Sequence, residues 1–424
     1  MQKVELLMPA GNIEKLKYAV RYGADAVYLG IIDFSLRAMR KGEIITLDNL
    51  KEAIDIAHKL GAKAYMTLNI FAFNSDIRHL ESCMDIIKDA NPDAILVSDF
   101  GILRLLRKYM PDTDIHVSTQ TNILNYECVK FWQDMGATRV VLARELSIPE
   151  IAEIKKQVPD MEVECFIHGS QCVSFSGRCL LSDYMTNGER KANSGNCSQP
   201  CRWSYKLLEE TRPGQYYEIN QDDRGSHILS PKDLCLVKHL KEMIDIGVDS
   251  FKVEGRTKSL YYVSAVAKTY RAAIDEIMAN PNADMEKYFI ELKKVGNRGY
   301  TTGFALGDND SDSYSYDISK GLAGADFLFE FNGKKKYSDV VFGSDKSTDL
   351  YSVKVKNKVY LNDEVEIITP SEKFITKIEE IIDENGESVE LANTNADVYL
   401  KLSDEPEEYD VALARTIGVK EHVY

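Results

Sequence analysis

The sequence predicts an α/β protein: a TIM-like (β/α)8 barrel with a cysteine-rich insertion after strand seven, plus a small C-terminal antiparallel β-barrel domain. Three observations predict this. Short apolar runs alternate eight times with helical patterns, and the connection after the seventh run is unusually long. From residue 329, apolar and polar residues alternate as is typical of strands. The predicted domains are 1–290 for the barrel, including the insertion at 169–229, then a linker at 291–328 and a C-terminal β-domain at 329–424.

The eight apolar runs are the predicted barrel strands. They lie at 4–8, 26–30, 64–69, 94–98, 115–118, 139–143, 163–167 and 250–254. Helices are expected between them, for example at 13–22, and another at 260–278 follows the last strand. Glycines suited to helix C-caps precede several strands. An open doubly wound sheet is the alternative, but no Gly-rich dinucleotide fingerprint follows the first strand.

The C-terminal region carries alternating apolar and polar residues, which is typical of strands. The predicted strands lie near 339–342, 350–355, 363–368, 374–375 and 398–401, with a turn at 383–386. This pattern favours a small antiparallel barrel, and no catalytic constellation is visible in it.

Polar side chains follow the predicted strands at their carboxyl ends, where such barrels hold their active sites. Any one of these residues could simply cap a helix, but together they outline a polar pocket. They are Asn69, Gln120, Arg144, Glu145, His168, Lys252, Glu254 and Arg256.

The cysteines are crowded in the insertion. Of eight in the chain, five lie between Cys165 and Cys201, and Cys165 falls inside a predicted strand. Such crowding in a reducing compartment indicates metal binding or thiol chemistry. Six residues separate Cys172 from Cys179 and 17 separate Cys179 from Cys197, which suits an iron–sulfur cluster better than the tight knuckles of structural zinc. Zinc is the second choice. The alternative to a metal is that some cysteines are buried as small apolar residues and the others are scattered reactive thiols.

Cys235 is the most distant candidate ligand. It lies in the first turns of a helix predicted to begin at 230–233, whose positive end would favour a thiolate. Because the cysteines precede this helix and follow strand seven, we expect them to overhang the carboxyl face of the barrel.

Composition sets the broad class. The chain has 424 residues, a formal net charge of -15 and an apolar content of 44%. No apolar run suits a signal peptide or a membrane span, so we expect a cytoplasmic protein with no membrane partner. The negative charge gives no sign of bulk nucleic-acid binding, although a local basic patch remains open.

Two long motifs resemble a known family. Residues 164–182 (ECFIHGSQCVSFSGRCLLS) and 196–203 (NCSQPCRW) are similar to the signature of the collagenase-like peptidase family of unknown catalytic type, peptidase U-thirty-two. The segments 136–146 and 251–256 also match its pattern. The resemblance extends over nearly the whole chain.

The resemblance implies more than proteolysis. Members of similar length and domain order are tRNA hydroxylation proteins, which act with prephenate on carbon 5 of the wobble uridine, and sister groups hydroxylate ribosomal RNA or ubiquinone precursors. In such relatives four cysteines hold a [4Fe–4S] cluster. Here they would be Cys172, Cys179, Cys197 and Cys235, with Cys201 as a bystander or a replacement ligand.

The leading hypothesis is therefore a tRNA-hydroxylating enzyme. Arg37, Arg144, Lys252 and Arg256 would bind the carboxylates of a prephenate-like acid, with Asn69, Gln120 and Glu145 lining the same pocket. His168 and Glu254 are the candidate acid–base pair. A collagenase-like peptidase and a non-catalytic RNA-binding or assembly factor are the alternatives, and a paralogous partner subunit is an open question.

Overall fold

The structure, a computed structural model, describes residues 3–35, 44–172, 174, 179–187, 189–190, 192–194, 196–203, 221–222, 225–226, 231–307, 324–341 and 348–418. Strands and helices alternate in its first part. The strands are β1 (Glu5–Pro9), β2 (Ala26–Leu29), β3 (Lys63–Leu68), β4 (Ala94–Val97), β5 (Asp114–Val117), β6 (Arg139–Val141) and β7 (Glu162–Ser170). The helices are α1 (Ile13–Arg21), α2 (Leu50–Lys59), α3 (Asn74–Ala90), α4 (Phe100–Tyr109), α5 (Tyr126–Asp134) and α6 (Ile148–Gln157).

A second series of elements completes the barrel. They are α7 (Leu181–Met185), β8 (Gln221–Asp222), β9 (Gly225–Ser226), β10 (Asp233–Cys235), α8 (Leu240–Asp245), β11 (Ser250–Val253), α9 (Leu260–Ala279), α10 (Glu286–Lys293) and β12 (Tyr300–Thr301). Parallel pairing runs in order from β1 to β7, and β11 pairs with both β7 and β1. The closed barrel thus uses all eight predicted strands, which confirms the predicted fold class.

Local sequence explains where several of these helices begin. The Asp99 carboxylate accepts hydrogen bonds from the amides of Gly101 and Ile102 at the start of α4, and the Ser259 hydroxyl accepts one from Tyr262 in α9. Each cap satisfies amides that the helix itself leaves unpaired. Because these caps come directly after strand ends, they fix where the strand-to-helix loops turn over the carboxyl face.

The predicted helix at 230–233 is wrong. Residues Asp233–Cys235 instead form β10, which pairs antiparallel with the end of β7, so that Cys235 lies opposite His168. Helix α8 begins only at Leu240. Pairing with an exposed strand edge outweighs the local capping signal, which is a weak preference.

The segment predicted as a linker takes part in the barrel domain. β12 pairs with β10, and the Tyr300 hydroxyl donates to the Leu292 carbonyl, in the last turn of α10, at 2.8 Å. Residues up to Gly303 therefore pack on the barrel. Within the described residues, no helix is both long and apolar enough to cross a bilayer.

The C-terminal region forms a second closed barrel. Its elements are β13 (Phe327–Lys336), α11 (Tyr337–Val340), β14 (Asp349–Val355), β15 (Val359–Tyr360), β16 (Glu364–Ile368), β17 (Lys373–Ile382), β18 (Leu391–Ala392), β19 (Asp397–Leu402) and β20 (Leu413–Arg415). Six of them close in the order β13-β14-β19-β17-β16-β20, all antiparallel. This confirms the predicted small barrel, although the strand predicted at 339–342 is a helical turn where it is described.

The two barrels share a polar contact. The buried Arg415 side chain on β20 donates to Glu366 on β16 at 2.6 Å and to the Tyr261 hydroxyl on α9 at 3.0 Å, and it also pairs with Glu291 on α10. The Tyr22 hydroxyl donates to two C-terminal carbonyls, those of Ile368 and Val411. The C-terminal barrel is therefore attached to the helices at one side of the first barrel.

Candidate active site

A column of buried charges fills the first barrel. Arg139 on β6 contacts the carboxylates of Glu5 at 2.6 Å and Glu164 at 3.2 Å, and Glu164 also accepts from Lys252 on β11 at 2.6 Å. Burial lowers the pKa of Lys252, while its contact with Glu164 opposes that shift. Since charged side chains in a barrel interior need partners, these residues hold one another in place.

Above this column lies an aromatic layer. The Lys252 ammonium is 4.5 Å from the centre of the Tyr28 ring and 5.5 Å from that of Phe166. A guanidinium group also lies against each of these two rings. The Arg144 guanidinium is 3.8 Å from the centre of the Phe166 ring, and that of Arg256 is 5.5 Å from the centre of the Tyr28 ring. Each distance is within the range of a cation–π contact.

Hydrogen bonds orient both guanidinium groups. Arg256 donates to the hydroxyls of Ser35 at 2.7 Å and Thr67 at 3.0 Å. Arg144 donates to the carbonyl of Ser170, at the end of β7, at 2.8 Å. Two positive, planar groups are thus held at the carboxyl ends of the barrel strands, which is where carboxylates or phosphates would be recognised.

Polar side chains continue along the same rim. The Asn69 amide donates to the Ser118 hydroxyl at 3.4 Å, and the Ser98 hydroxyl donates to Gln120 at 3.3 Å. Glu145 follows Arg144 directly and is half-buried. The structure therefore brings the predicted Asn69, Gln120, Arg144 and Arg256 to one face. It places Lys252 inside the barrel instead of at the rim, and Arg37 lies outside the described residues.

His168 lies in a different environment. Its ring is enclosed by Tyr262, Tyr270 and Tyr300, with ring centres 5.3 to 5.9 Å away. Its Nδ1 is 3.2 Å from the Tyr270 hydroxyl, and its buried Nε2 has no hydrogen-bond partner among the residues that the structure describes. Burial, aided by Lys258, lowers the pKa of His168 to about 3, so the ring is neutral near pH 7.

Glu254 connects to His168 through the backbone. The Glu254 amide donates to the His168 carbonyl at 2.9 Å, and the side chain is buried. Gly169 makes this approach possible, because a Cβ there would lie 2.5 Å from the Glu254 carbonyl oxygen. The acid–base pairing of these two side chains stays a prediction.

The cysteine segment, which is the part of the predicted insertion from Cys172 to Cys201, contacts the rim through Asn193. Its side chain accepts from the Phe71 amide at 3.0 Å and donates to the Phe71 carbonyl at 2.9 Å, beyond the end of β3. This agrees with the expected position of the insertion over the carboxyl face. Cys172 and Cys179 are half-buried and Cys197 is exposed.

Cys235 differs from the other candidate ligands. It is buried on β10, with its sulfur 3.7 Å from the Tyr270 hydroxyl, and burial raises the pKa of its thiol to about 11. Among the residues that the structure describes, no three His, Cys, Asp or Glu side chains are grouped closely enough to hold a metal ion. The four cysteines fit a cluster in donor type, since soft thiolates select iron–sulfur or zinc, and the ligand set stays a prediction.

Several site residues were missed from the sequence. Tyr28 and Phe166 support the two arginines, while Ser35 and Thr67 orient Arg256. Aromatic residues at inward positions of otherwise aliphatic strands were the available signal for the first two. Nothing in the sequence signals the serine and threonine, because their roles depend on loops meeting across the barrel.

Comparison with known proteins identifies the family. Residues 11–315 match the model of Peptidase family U32, and residues 337–412 match that of the Peptidase family U32 C-terminal domain. The chain is 38% identical to tRNA hydroxylation protein P of Haemophilus influenzae, over 92% of this chain and 91% of that protein. It is 36% identical to an uncharacterized protease of Methanocaldococcus jannaschii, over 95% of this chain and 96% of the relative.

A ribosomal RNA enzyme is also similar. The 23S rRNA 5-hydroxycytidine C2501 synthase of Escherichia coli is 36% identical over 71% of this chain and 45% of that enzyme. These matches confirm the resemblance seen in the cysteine motifs, and the chain belongs to peptidase family U32, with both the main region and the C-terminal domain of that family.

Proposed function

We propose that this protein is an RNA-hydroxylating enzyme that converts the wobble uridine of tRNA to 5-hydroxyuridine, with prephenate as co-substrate. The observation that carries the proposal is the similarity, along nearly the whole chain, to proteins named for tRNA hydroxylation. The match to a 5-hydroxycytidine synthase supports hydroxylation at carbon 5 of a pyrimidine. Since tRNA is the proposed substrate, the proposed compartment is the cytoplasm.

The chemistry requires a co-substrate. Replacing the C5–H of uracil by C5–OH inserts one oxygen atom and removes two electrons from the base, so a donor must supply the oxygen and an acceptor must take the electrons. A small dicarboxylate such as prephenate suits the rim, where Arg144 and Arg256 are held on an aromatic layer. Arg37, the third predicted carboxylate ligand at the rim, stays a prediction.

The proposed cofactor is a [4Fe–4S] cluster held by Cys172, Cys179, Cys197 and Cys235, with zinc as the alternative metal. When bound, it would supply electron transfer or orient the oxygen donor. The chain's own contribution is to bind the co-substrate at the arginines, on the rim that Asn193 contacts through the Phe71 backbone.

Nucleoside analysis tests the function. A bacterium lacking its own tRNA hydroxylation genes should regain 5-hydroxyuridine derivatives when it expresses this chain, as measured by mass spectrometry of digested tRNA. Arg144→Met and Arg256→Met should each remove the product, whereas Arg104→Met, on the exposed side of α4, should not. Complementation that fails with a folded wild-type chain contradicts the proposal, and tRNA binding without product would favour the assembly-factor alternative.

Anaerobic purification tests the cofactor. A brown protein with a broad absorption band near ~400 nm is expected, and Cys172→Ala should lose the band. Cys128→Ala, on helix α5 away from the proposed ligands, is the matched control. A colourless protein with stoichiometric zinc would overturn the cluster.

Proteolysis is the alternative function, supported by the family name and by the similar uncharacterized protease. The geometry gives it less support. His168 is buried and neutral, and the Cys235 thiol near it is protonated at pH 7. Cys83 lies 3.9 Å from His79, which pairs with Asp33, but the Cys83 side chain is buried away from a substrate. Gelatin cleavage that is lost in His79→Ala or His168→Ala would favour this alternative.

A further inference from the structure

An apolar groove lies beside the candidate active site. It has a volume of about 440 Å³ and runs between the loops after β3, β4 and β5 and the helix α5. Three aromatic rings form its wall: Phe100, Phe131 and Trp132. Ser98 and Thr121 also line it.

The aromatic wall is both ordered and exposed. The rings of Phe100 and Trp132 are stacked with centres 5.1 Å apart and an angle of 4° between their planes. Phe131 meets both rings edge-on. Phe100 is 58% exposed and Phe131 is 49% exposed, while Trp132 is buried behind them. Large apolar rings that stay exposed in one cluster indicate a binding surface.

The groove is continuous with the active-site rim. Ser98, which lines it, donates to Gln120 of the rim at 3.3 Å. Phe71 also lines the groove. Its backbone amide and carbonyl both form hydrogen bonds with the side chain of Asn193 in the cysteine segment. A ligand in the groove would therefore contact the same loops that position the candidate catalytic face.

We propose that this groove is a stacking site for an unpaired nucleobase of the RNA substrate, next to the nucleotide that is hydroxylated. The proposal rests on the proposed function, because it takes the substrate to be a single-stranded RNA loop. Aromatic rings bind unpaired bases through their flat faces. The hydroxyl oxygens of Ser98 and Thr121, which donate their own protons to Gln120 and to the Ser118 carbonyl, can accept hydrogen bonds from base edges.

The size and the charge of the groove favour a base over a peptide partner. A volume of about 440 Å³ suits a small planar group, whereas a docked helix needs a long groove for several side chains. The acidic residues near the rings have partners of their own: Asp99 caps α4, and Glu127 pairs with Lys130 at 2.8 Å. A stacked base would bind through the uncharged rings themselves.

Tryptophan fluorescence tests the proposal directly. The chain has two tryptophans, so Trp203→Phe leaves Trp132 as the only one. Titration of this anaerobically purified variant with an anticodon stem–loop carrying uridine at the wobble position should quench the emission of Trp132. RNA binding is followed in parallel by fluorescence anisotropy of the labelled stem–loop.

Substitutions of Phe100 distinguish stacking from simple apolar contact. Phe100→Leu should raise the Kd at least about fivefold, while Phe100→Tyr, which keeps the ring, should stay within about twofold of the parent. Met135→Ala is the control, because Met135 is similarly exposed at the end of the same helix as Phe131 but does not line the groove. Circular dichroism and melting checks that each variant is folded.

An abasic nucleotide identifies the partner. Replacing the loop base beside the target by an abasic residue should remove the quenching and raise the Kd, and Phe100→Leu should then add little further loss. Tight binding with no quenching and no effect of Phe100→Leu overturns the stacking site while leaving the proposed function intact. A folded wild-type chain that does not bind the stem–loop at all contradicts both.

Discussion

Glu164 carries a charge in the middle of a buried strand, and its two cationic partners make it a key residue for stability. It is 0% exposed and contacts both Lys252 and Arg139. Glu164→Gln should lower the free energy of unfolding by about 3–5 kcal/mol, because it leaves the Lys252 ammonium buried without a counter-charge. Denaturant unfolding followed by circular dichroism measures the change.

Glu162 provides the matched control, two residues away on the same strand. It also pairs with Arg139, at 2.8 Å, but its side chain is 50% exposed. Glu162→Gln should therefore cost only about 0–1 kcal/mol, as is usual for exposed pairs. Equal losses for the two variants would mean that the buried column does not stabilise the barrel.

His116 makes stability depend on pH. Burial, together with Arg139, Lys252 and Lys63, holds its pKa well below the usual value, so the folded protein keeps the ring neutral. The unfolded chain takes up a proton below about pH 6.5, and stability must fall as the pH decreases through that value. Between pH 7 and pH 5 the wild type should lose about 2 kcal/mol more than His116→Asn. Parallel loss in both proteins would show that His116 is not the cause.

At the scale of single residues, the sequence predicted positions better than roles. Asn69, Gln120, Arg144 and Arg256 lie at the rim as expected, because their place follows from strand ends alone. Lys252 does not, because its partner Glu164 lies on another strand and only the closed barrel brings the two together. His168 was expected just after its strand but lies within β7, where three tyrosines from α9 and β12 enclose it, which no local pattern shows.

Among the elements, the end of β7 controls how the cysteine segment leaves the barrel. Gly169 has a φ of +107°, and an added Cβ would lie 2.5 Å from the Glu254 carbonyl oxygen. Gly169→Ala should displace Ser170, whose carbonyl orients Arg144, and should abolish tRNA hydroxylation in the complementation assay.

The control for this change is Gly61→Ala. Gly61 also has a positive φ, +84°, but no atom of the described part of the chain lies within 4 Å of its added Cβ. Gly61→Ala should therefore lower the free energy of unfolding by only about 1–2 kcal/mol, through backbone strain, and leave hydroxylation unchanged. If Gly169→Ala behaves in the same way, then the close approach of β7 to Glu254 is not needed for activity.

The elements themselves were largely predictable, and the exceptions have a common cause. The eight barrel strands are short apolar runs that alternate with helical patterns, so the pattern of apolar residues alone located them. β10 was missed because its sequence carries a helix-start signal, while its actual state depends on the free edge of β7. The strand predicted at 339–342 is also wrong where the structure describes it, because a short apolar run does not distinguish a strand from a helical turn.

For the whole molecule, two domains were predictable but their contact was not, and that contact yields the last prediction. Arg415 is fully buried between Glu366 of the C-terminal barrel and Tyr261 and Glu291 of the first domain. Burial alone would raise the pKa of Glu291, but Arg415 and two lysines lower it to about 2, so the pair is ionised at neutral pH.

Arg415→Met should remove the buried cation that Glu366 shares with the half-buried Glu291, leaving them only Lys294 and Lys373, and should uncouple the two barrels. Calorimetry should then show the C-terminal barrel melting first, in a separate transition, with a loss of about 3–5 kcal/mol. Lys401→Met, which removes an exposed pair with Glu379 in the same barrel, should change stability by only about 0–1 kcal/mol. A single unshifted transition in Arg415→Met would mean that the other contacts, such as the Tyr22 hydrogen bonds and the packing of Tyr261 on Phe327, are enough to join the domains.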